Sequence, residues 1–326
     1  MYDSVPRITR RLLINPGNLC YLNSILYPLL YCVPFHNLFK VLKKKLKSKV
    51  SDHSIVESLI QFIDEFASPN IKSPFEPSLV CNALFDSLDS KLVAGCQEDA
   101  SEFLGYLLDG LHRELKSKVK PESGDWIEIG KKMKKTNVRR VEAEKSLISE
   151  LFFGKFKTSF KCSHMKASII EEPFMLLPLD IQDDSIISIL DAIEQMQKPE
   201  TIDEYHLNGG EVVNATKVTE IKLLPQILVC NIKRAILENS EIKKSHKFIH
   251  YGHKIHLNGV EYNLFAVVYH HGSSLESGHY TCNVYDSEMQ EWLYIDDGFI
   301  NIVHSDHVLR EKSASTYLLF YQRVQG

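Results

Sequence analysis

The chain has 326 residues, 44% apolar and 25% charged, with 38 Lys+Arg against 42 Asp+Glu. These ordinary globular proportions exclude a disordered or fibrous low-complexity chain, and a net charge of −4 is too balanced to steer it to nucleic acid or an anionic membrane. Seven cysteines, an odd set with no CxxC pair, argue against a secreted disulfide scaffold or a cysteine-only zinc site and fit a reducing compartment.

No Lys, Arg, Asp or Glu occurs between Arg11 and Lys40, a stretch long enough to cross a bilayer. Pro16, Pro28, Pro34, four asparagines and His36 lie in it, so a buried loop and helix are expected instead of a membrane span. No basic segment followed by a long apolar core opens the chain, and no secretory signal is expected. Within the stretch, INPGNLCYLNSILYPLL (14–30) delivers Cys20 from a Gly-containing polar turn into apolar helical spacing at Leu22, Ile25, Leu26, Leu29 and Leu30. A thiol at a helix N-terminus is favoured as thiolate by the dipole and the free N–H groups. The Asn15 amide, five residues earlier, and the Cys20 N–H could form an oxyanion hole. A buried cysteine standing alone is more often a small apolar side chain. Pro28 should kink the helix.

Two basic runs follow, KVLKKKLKSK (40–49) and KKMKKTNVRR (131–140). Each reads as a solvated face, the second as an exposed insertion, with docking of an acidic partner as the alternative. Residues 54–66 and the series Ala100, Phe103, Leu104, Leu107, Leu108, Leu111, Leu115 have helical spacing. Asp99 and Glu102 sit three apart at the start of the second helix and either contact a cationic substrate or cap the helix. Beyond about residue 150 the pattern changes to strands: 174–181, 226–233, 262–270, 279–285, 291–296 and 316–323. Helices followed by strands predict an α+β fold. His279 opens one strand and Asp296-Asp297 end the next, so an antiparallel hairpin would set a base beside its orienting carboxylate.

Cysteine early and His…Asp late is the order of papain-type thiol hydrolases. Gly17-Asn18-Leu19-Cys20-Tyr21-Leu22-Asn23-Ser24 closely resembles the Cys box of the ubiquitin-specific protease family, and Gly278-His279-Tyr280…Trp292…Asp296-Asp297 resembles its His box. Gln97-Glu98-Asp99-Ala100-Ser101-Glu102-Phe103-Leu104 and Leu224-Pro225…Leu228…Lys233-Arg234 resemble two further family motifs. LFAVVYHHG (264–272) and TYLLFYQRV (316–324) resemble the branch containing ubiquitin carboxyl-terminal hydrolase ten and its yeast counterpart.

The resemblance implies a papain-like cysteine protease with a helical thumb, β palm and β fingers, forming one catalytic domain over residues 10–324 with the helical part up to about 150. It implies hydrolysis of the isopeptide bond at the C-terminal glycine of ubiquitin. Cys20 would be the nucleophile, His279 the general base and acid, Asp296 the orienting carboxylate, Asp297 a supporting or alternative partner and Asn15 the oxyanion donor. Gln97, Asp99, Glu102, His270 and Tyr280 would bind the ubiquitin tail, with His270 and Gly272 in a loop that closes over it. The implied partners are ubiquitin and ubiquitinated proteins, with no nucleic acid and no membrane, and the protein is expected as a monomer in the cytoplasm or nucleus. Two alternatives stay open, a ubiquitin-binding module without turnover and a thiol hydrolase for another ubiquitin-like modifier or for peptides.

Several positions depart from the family. Leu19 replaces the usual Thr or Ser, and Tyr27 the usual Gln. Where many relatives carry two CxxC pairs in the fingers, this chain has Cys162-Ser163-His164-Met165 and Tyr205-His206-Leu207-Asn208-Gly209-Gly210-Glu211, so neither metal nor other cofactor is expected. Cys32, Cys81, Cys96, Cys230 and Cys282 are expected to pack as small apolar residues, and Trp292 to belong to the core. Little sequence precedes the Cys box, so partner-binding segments outside this domain are expected to be missing.

Overall fold

A computed structural model describes residues 8–45, 54–66, 73–74, 76–77, 80, 82, 95–116, 126–129, 136–141, 144–162, 167–206, 212–238, 240–275, 277–310 and 314–324. The helical part comprises α1 (Cys20–Tyr31), α2 (Val33–Lys45), α3 (Ile55–Phe66) and α4 (Ala100–Leu115). Strands begin earlier than the expected change near residue 150: β1 (Trp126–Ile129) and β2 (Thr136–Arg140) come before the short helix α5 (Leu147–Phe152). Part of the run read as an exposed insertion is therefore β2, which pairs parallel to β4 (Ser168–Phe174). With β3 (Gly154–Cys162), β6 (Glu200–His206) and β7 (Val212–Leu223) they form the six-stranded fingers sheet, in the order β1-β2-β4-β3-β7-β6.

The palm contains β5 (Leu176–Asp180), β8 (Ile227–Lys233), β12 (Val260–His271), β13 (His279–Asp286), β14 (Glu291–Asp296), β15 (Phe299–Val303) and β16 (Thr316–Arg323), ordered β15-β14-β13-β12-β16-β8-β5. β11 (Lys254–Leu257) pairs with β12, and β9 (Ala235–Glu238) with β10 (Glu241–Lys244) forms a separate hairpin. Helices α6 (Ile189–Gln197) and α7 (Ser305–Arg310) complete the described elements. The six strands read from sequence correspond to β5, β8, β12, β13, β14 and β16.

Those strands were legible as apolar runs because both palm faces are covered, which removes the polar alternation of a half-exposed sheet. In β12, Ala266 and Val268 face the core shared with α1 to α5, while Val267 and Tyr269 face the core that holds Ile189, Ala192 and Ile193 of α6 and Val308 of α7. β16 divides in the same way, Leu318 and Phe320 against Leu319 and Tyr321.

All twelve residues of α1 are buried, as suits a helix that is apolar around its whole circumference. α1 runs through Pro28 to Tyr31, and the chain turns by 81° between α1 and α2. Pro34 falls in the first turn of α2, where its missing N–H costs nothing. Among the described residues no single helix is long and apolar enough to cross a membrane. On α4 the stripe Phe103, Leu104, Leu107, Leu108 and Leu111 is almost fully buried, each side chain contributing roughly 2 kcal/mol. This seats the helix against α1 and places its N-terminus beside Cys20.

Candidate active site

The turn before α1 is built by Asn15. Its side-chain oxygen accepts the Gly17 and Leu19 N–H groups at 3.0 and 2.9 Å. Gly17 (φ 142°) and Asn18 (φ 61°) take the left-handed conformations the reversal demands, which glycine and asparagine tolerate best. The Asn18 amide donates to the Gly95 carbonyl at 2.8 Å, tying this turn to the segment that leads into α4. Cys20 is the first helical residue, so its N–H is among those that no helical carbonyl reaches.

His279 starts β13. Since Cys282 pairs with Ile295, the register places Thr281 opposite Asp296, with His279 two residues further along the same face. His279 Nε2 lies 2.6 Å from Asp296 Oδ1, and His279 also hydrogen-bonds to Cys20. With Nε2 engaged by the carboxylate, Nδ1 is the nitrogen left for the sulfur. The imidazole is raised to about 9, first by the Cys20 hydrogen bond; burial opposes the rise and Asp296 reinforces it. The Cys20 residue is 3% exposed while the His279 side chain is 42% exposed, so the sulfur is buried beside an imidazole that is open to solvent.

Asp297 does something the sequence did not suggest. Its Oδ2 accepts from the Asn15 amide at 2.8 Å and its Oδ1 from the Asn23 amide at 3.1 Å. The carboxylate therefore clamps the turn after β14 to the cysteine loop and to α1, and the orienting partner of His279 is Asp296. Asn15 keeps its second amide hydrogen beyond this clamp. Asn23 was missed, although a buried asparagine inside an apolar helix must find a partner, and that was the signal available.

The predicted tail-binding residues divide. Asp99 is the N-cap of α4: its carboxylate accepts the Ser101 N–H (2.7 Å), the Ser101 hydroxyl (2.6 Å), the Glu102 N–H (3.1 Å) and the Tyr317 hydroxyl. Most of its acceptor capacity is thus used within the protein, and Glu102 is the exposed carboxylate of the pair. Gln97 reaches Gly278 with both ends of its amide, donating to the carbonyl (3.2 Å) and accepting from the N–H (3.4 Å), which fixes the backbone just before His279.

His270 is not in a loop. It pairs with Tyr280 inside the β12–β13 ladder, is 4% exposed and stacks on the Tyr280 ring with centroids 4.4 Å apart. Burial, and then Lys244, lowers it to about 4, so it is neutral. Tyr280 is buried too, with its hydroxyl hydrogen-bonded to the Ala100 backbone. Gly278 must be glycine, since a Cβ there would sit 2.2 Å from the His271 carbonyl and 2.3 Å from His270 Nε2. Gly272 does lie in the connection to β13, and Lys244 Nζ anchors it by donating to the His270 (3.0 Å) and Gly272 (2.8 Å) carbonyls.

Among the described residues the only close group of metal-ligating types is His279, Asp296 and Asp297, whose atoms already engage one another, Cys20 and two asparagines. Cys162 ends β3 and His206 ends β6, while residues 163–166 and 207–211, like Cys81, lie outside the described residues. Cys32, Cys230 and Cys282 are buried as expected; Cys96 is exposed, a correction, because it lies in the solvent-facing turn with Gly95 ahead of α4. Trp292 is a core residue packed beside Tyr285 and His253.

Comparison with known proteins agrees with this arrangement. The family model "Ubiquitin carboxyl-terminal hydrolase" matches residues 12–321. "Probable ubiquitin carboxyl-terminal hydrolase 3" of Schizosaccharomyces pombe is 32% identical over 98% of this chain and 75% of that protein. "Ubiquitin carboxyl-terminal hydrolase 10" of Rattus norvegicus is 29% identical over 96% of this chain and 48% of that protein. The chain thus spans about half the length of that relative, and the match fits the branch expected from residues 264–272 and 316–324. A chain of the SAGA Ubp8/Sgf11/Sus1/Sgf73 DUB module bound to ubiquitin aldehyde shares the fold, with TM-score 0.75 and 22% identity over 99% of this chain and 72% of that one. By its motifs, its fold and a family match over nearly its whole length, this chain belongs to the ubiquitin carboxyl-terminal hydrolase family.

Proposed function

We propose that this chain is a deubiquitinating thiol protease that hydrolyses the isopeptide bond between the C-terminal glycine of ubiquitin and a lysine of a conjugated protein. One observation supports this above the rest: Cys20, His279 and Asp296, from opposite ends of the sequence, meet in one hydrogen-bonded line beside a turn that can bind an oxyanion. In this reading the Cys20 thiolate attacks the glycine carbonyl carbon. The developing oxyanion takes hydrogen bonds from the Cys20 N–H and the free Asn15 amide hydrogen, a donor being worth roughly 3–4 kcal/mol in comparable sites. His279 passes its Nδ1 proton to the departing lysine amine, leaving a thioester. It then takes a proton from water, whose oxygen attacks the thioester and frees Cys20. Asp296 holds the imidazole in the required tautomer throughout.

Glu102 is the carboxylate offered to an arginine of the ubiquitin tail, and the buried position of Cys20 favours a slender Gly-Gly terminus. Ubiquitin and ubiquitinated proteins are the partners of this reading, for a monomer in a reducing compartment, cytoplasm or nucleus. A ubiquitin probe with an electrophilic C-terminus tests it. Covalent capture that disappears in Cys20→Ala supports the assignment; no capture, or capture that survives the substitution, overturns it. Preferential capture of a probe built on another ubiquitin-like modifier would reassign the substrate while keeping the chemistry.

A further inference from the structure

Asp296 has two carboxylate oxygens, and His279 uses one. The other, Oδ2, lies 3.2 Å from the Tyr294 hydroxyl. A carboxylate can only accept, so Tyr294 donates. The Tyr294 oxygen can then accept, and the Thr281 hydroxyl hydrogen-bonds to it. Thr281 Oγ1 is in turn 2.8 Å from His271 Nε2. Having given its hydrogen to Tyr294, Thr281 accepts here, so His271 carries a proton on Nε2. One fixed charge thus sets the direction of every hydrogen bond from β12 across β13 to β14.

The sheet register makes this line possible. His271 is paired with His279 across the ladder, Thr281 follows His279 by two residues, and Tyr294 precedes Asp296 by two, so all five share one face. The terminal torsion of aspartate is soft, with a broad distribution of angles. The Asp296 side chain is 26% exposed, so water competes for its second oxygen. A donor held on Oδ2 fixes the carboxylate plane and keeps Oδ1 aligned with His279 Nε2. The Tyr294 ring is itself steadied by Phe299 (5.8 Å between centroids) and His307 (6.2 Å).

We propose that Tyr294, Thr281 and His271 are positioning residues of the reaction, a three-member chain of donors that orients Asp296 and, through it, the imidazole of His279. The proposal rests on Cys20, His279 and Asp296 being the reacting groups. The titratable groups near His279 and Asp296 are Cys20 of α1, Asp297 in the turn after β14, Tyr294 of β14 and, across the sheet, Cys282 of β13, while His271 of β12 and His307 of α7 contact Thr281 and Tyr294. Cys282 is held as a neutral thiol by burial.

The test compares the full chain with Tyr294→Phe, Thr281→Val, Thr281→Ser and the Tyr294→Phe/Thr281→Val double variant. Two readings are taken: steady-state cleavage of a ubiquitin conjugate, and the rate of iodoacetamide alkylation at Cys20 as a function of pH, followed by peptide mapping. Tyr294→Phe is expected to lower kcat by roughly tenfold or more, the size of one hydrogen bond to a charged acceptor, with KM unchanged. The alkaline limb of the alkylation profile should move to lower pH, because a poorly oriented carboxylate supports the imidazolium less well. Thr281→Val should do the same more weakly, Thr281→Ser should retain the parent profile, and the double variant should lose no more than Tyr294→Phe alone. A Tyr294→Phe profile superimposable on the parent, a loss confined to KM, or additive losses in the double variant would each overturn the proposal. The alkylation arm needs no ubiquitin, so it still reports on the chain of donors if the ubiquitin substrate is wrong.

Discussion

Replacing Asp297 with alanine tests whether the clamp between the two ends of the chain matters. The substitution removes the acceptor of the Asn15 and Asn23 amides, at 2.8 and 3.1 Å, in a half-buried setting. Two hydrogen bonds to a charged acceptor at about 1.5 kcal/mol each would cost about 3 kcal/mol. Part of this returns, because Asp297 lies close to Asp296: groups of the His279, Asp296 and Asp297 side chains all approach within 4.8 Å. Like charges at that spacing near a protein surface repel by roughly 1 kcal/mol once solvent screening is included. The net loss is then about 2 kcal/mol, or a fall in melting temperature of roughly 3 °C for a chain of this size. Activity should fall as well, because Asn15 loses the bond that aims its remaining amide hydrogen; a drop in kcat of about tenfold or more is expected. Differential scanning calorimetry and steady-state cleavage of a ubiquitin conjugate measure the two effects. A variant that melts within a degree of the parent and keeps its kcat would show that the clamp holds nothing in place.

Four other parts of the molecule can be tested as directly. His279 is raised to about 9 against an ordinary value near 6.5, so its contribution to stability is complete below about pH 6.5 and is lost as pH rises through about 9. Urea midpoints should therefore fall between pH 6 and 9.5 in the parent and fall less in His279→Ala; equal slopes would contradict the assignment. Arg234 is 1% exposed and donates to the Thr316, Ser245 and Lys247 carbonyls at 2.8–3.0 Å, so Arg234→Met, which removes this donor from all three, should cost about 3 kcal/mol or more by chemical denaturation. Native-state labelling with iodoacetamide should reach Cys96 and spare Cys32 and Cys230, whose thiols burial pushes up to about 12, until the chain unfolds. Glu102→Gln should raise KM for ubiquitin conjugates several-fold with kcat intact, whereas an unchanged KM would remove Glu102 from the tail site.

What could be read from the sequence was what short-range pattern encodes. Cys20 stood out because a polar glycine turn runs directly into apolar helical spacing, and β12 and β16 because two covered faces leave continuous apolar runs. The hairpin that joins His279 to Asp296 is local as well, a matter of two adjacent strands. The misreadings involve partners that only the fold brings near. Asp99 read as either a substrate contact or a helix cap; it is the cap, and Tyr317, which also engages it, is 218 residues away. Asp297 looked like a spare for Asp296 until Asn15 and Asn23, more than 270 residues upstream, claimed it. The family resemblance placed His270 in a loop; the β12–β13 ladder extends one pair further, to His271 with His279. Tyr294 carried no visible signal, because a tyrosine in a strand is ordinary until its neighbour across the register is known.

The position of β16 has a consequence for how this molecule comes to life. It lies between β12 and β8, so without residues 316–323 the palm is two separate pieces, one with the imidazole and one without. Its first residues also supply Tyr317 to Asp99 and the Thr316 carbonyl to Arg234. A ribosome therefore delivers Cys20 hundreds of residues before the strand that completes the palm. During synthesis the strands on either side of β16 therefore stay unjoined until these residues arrive and seal the sheet.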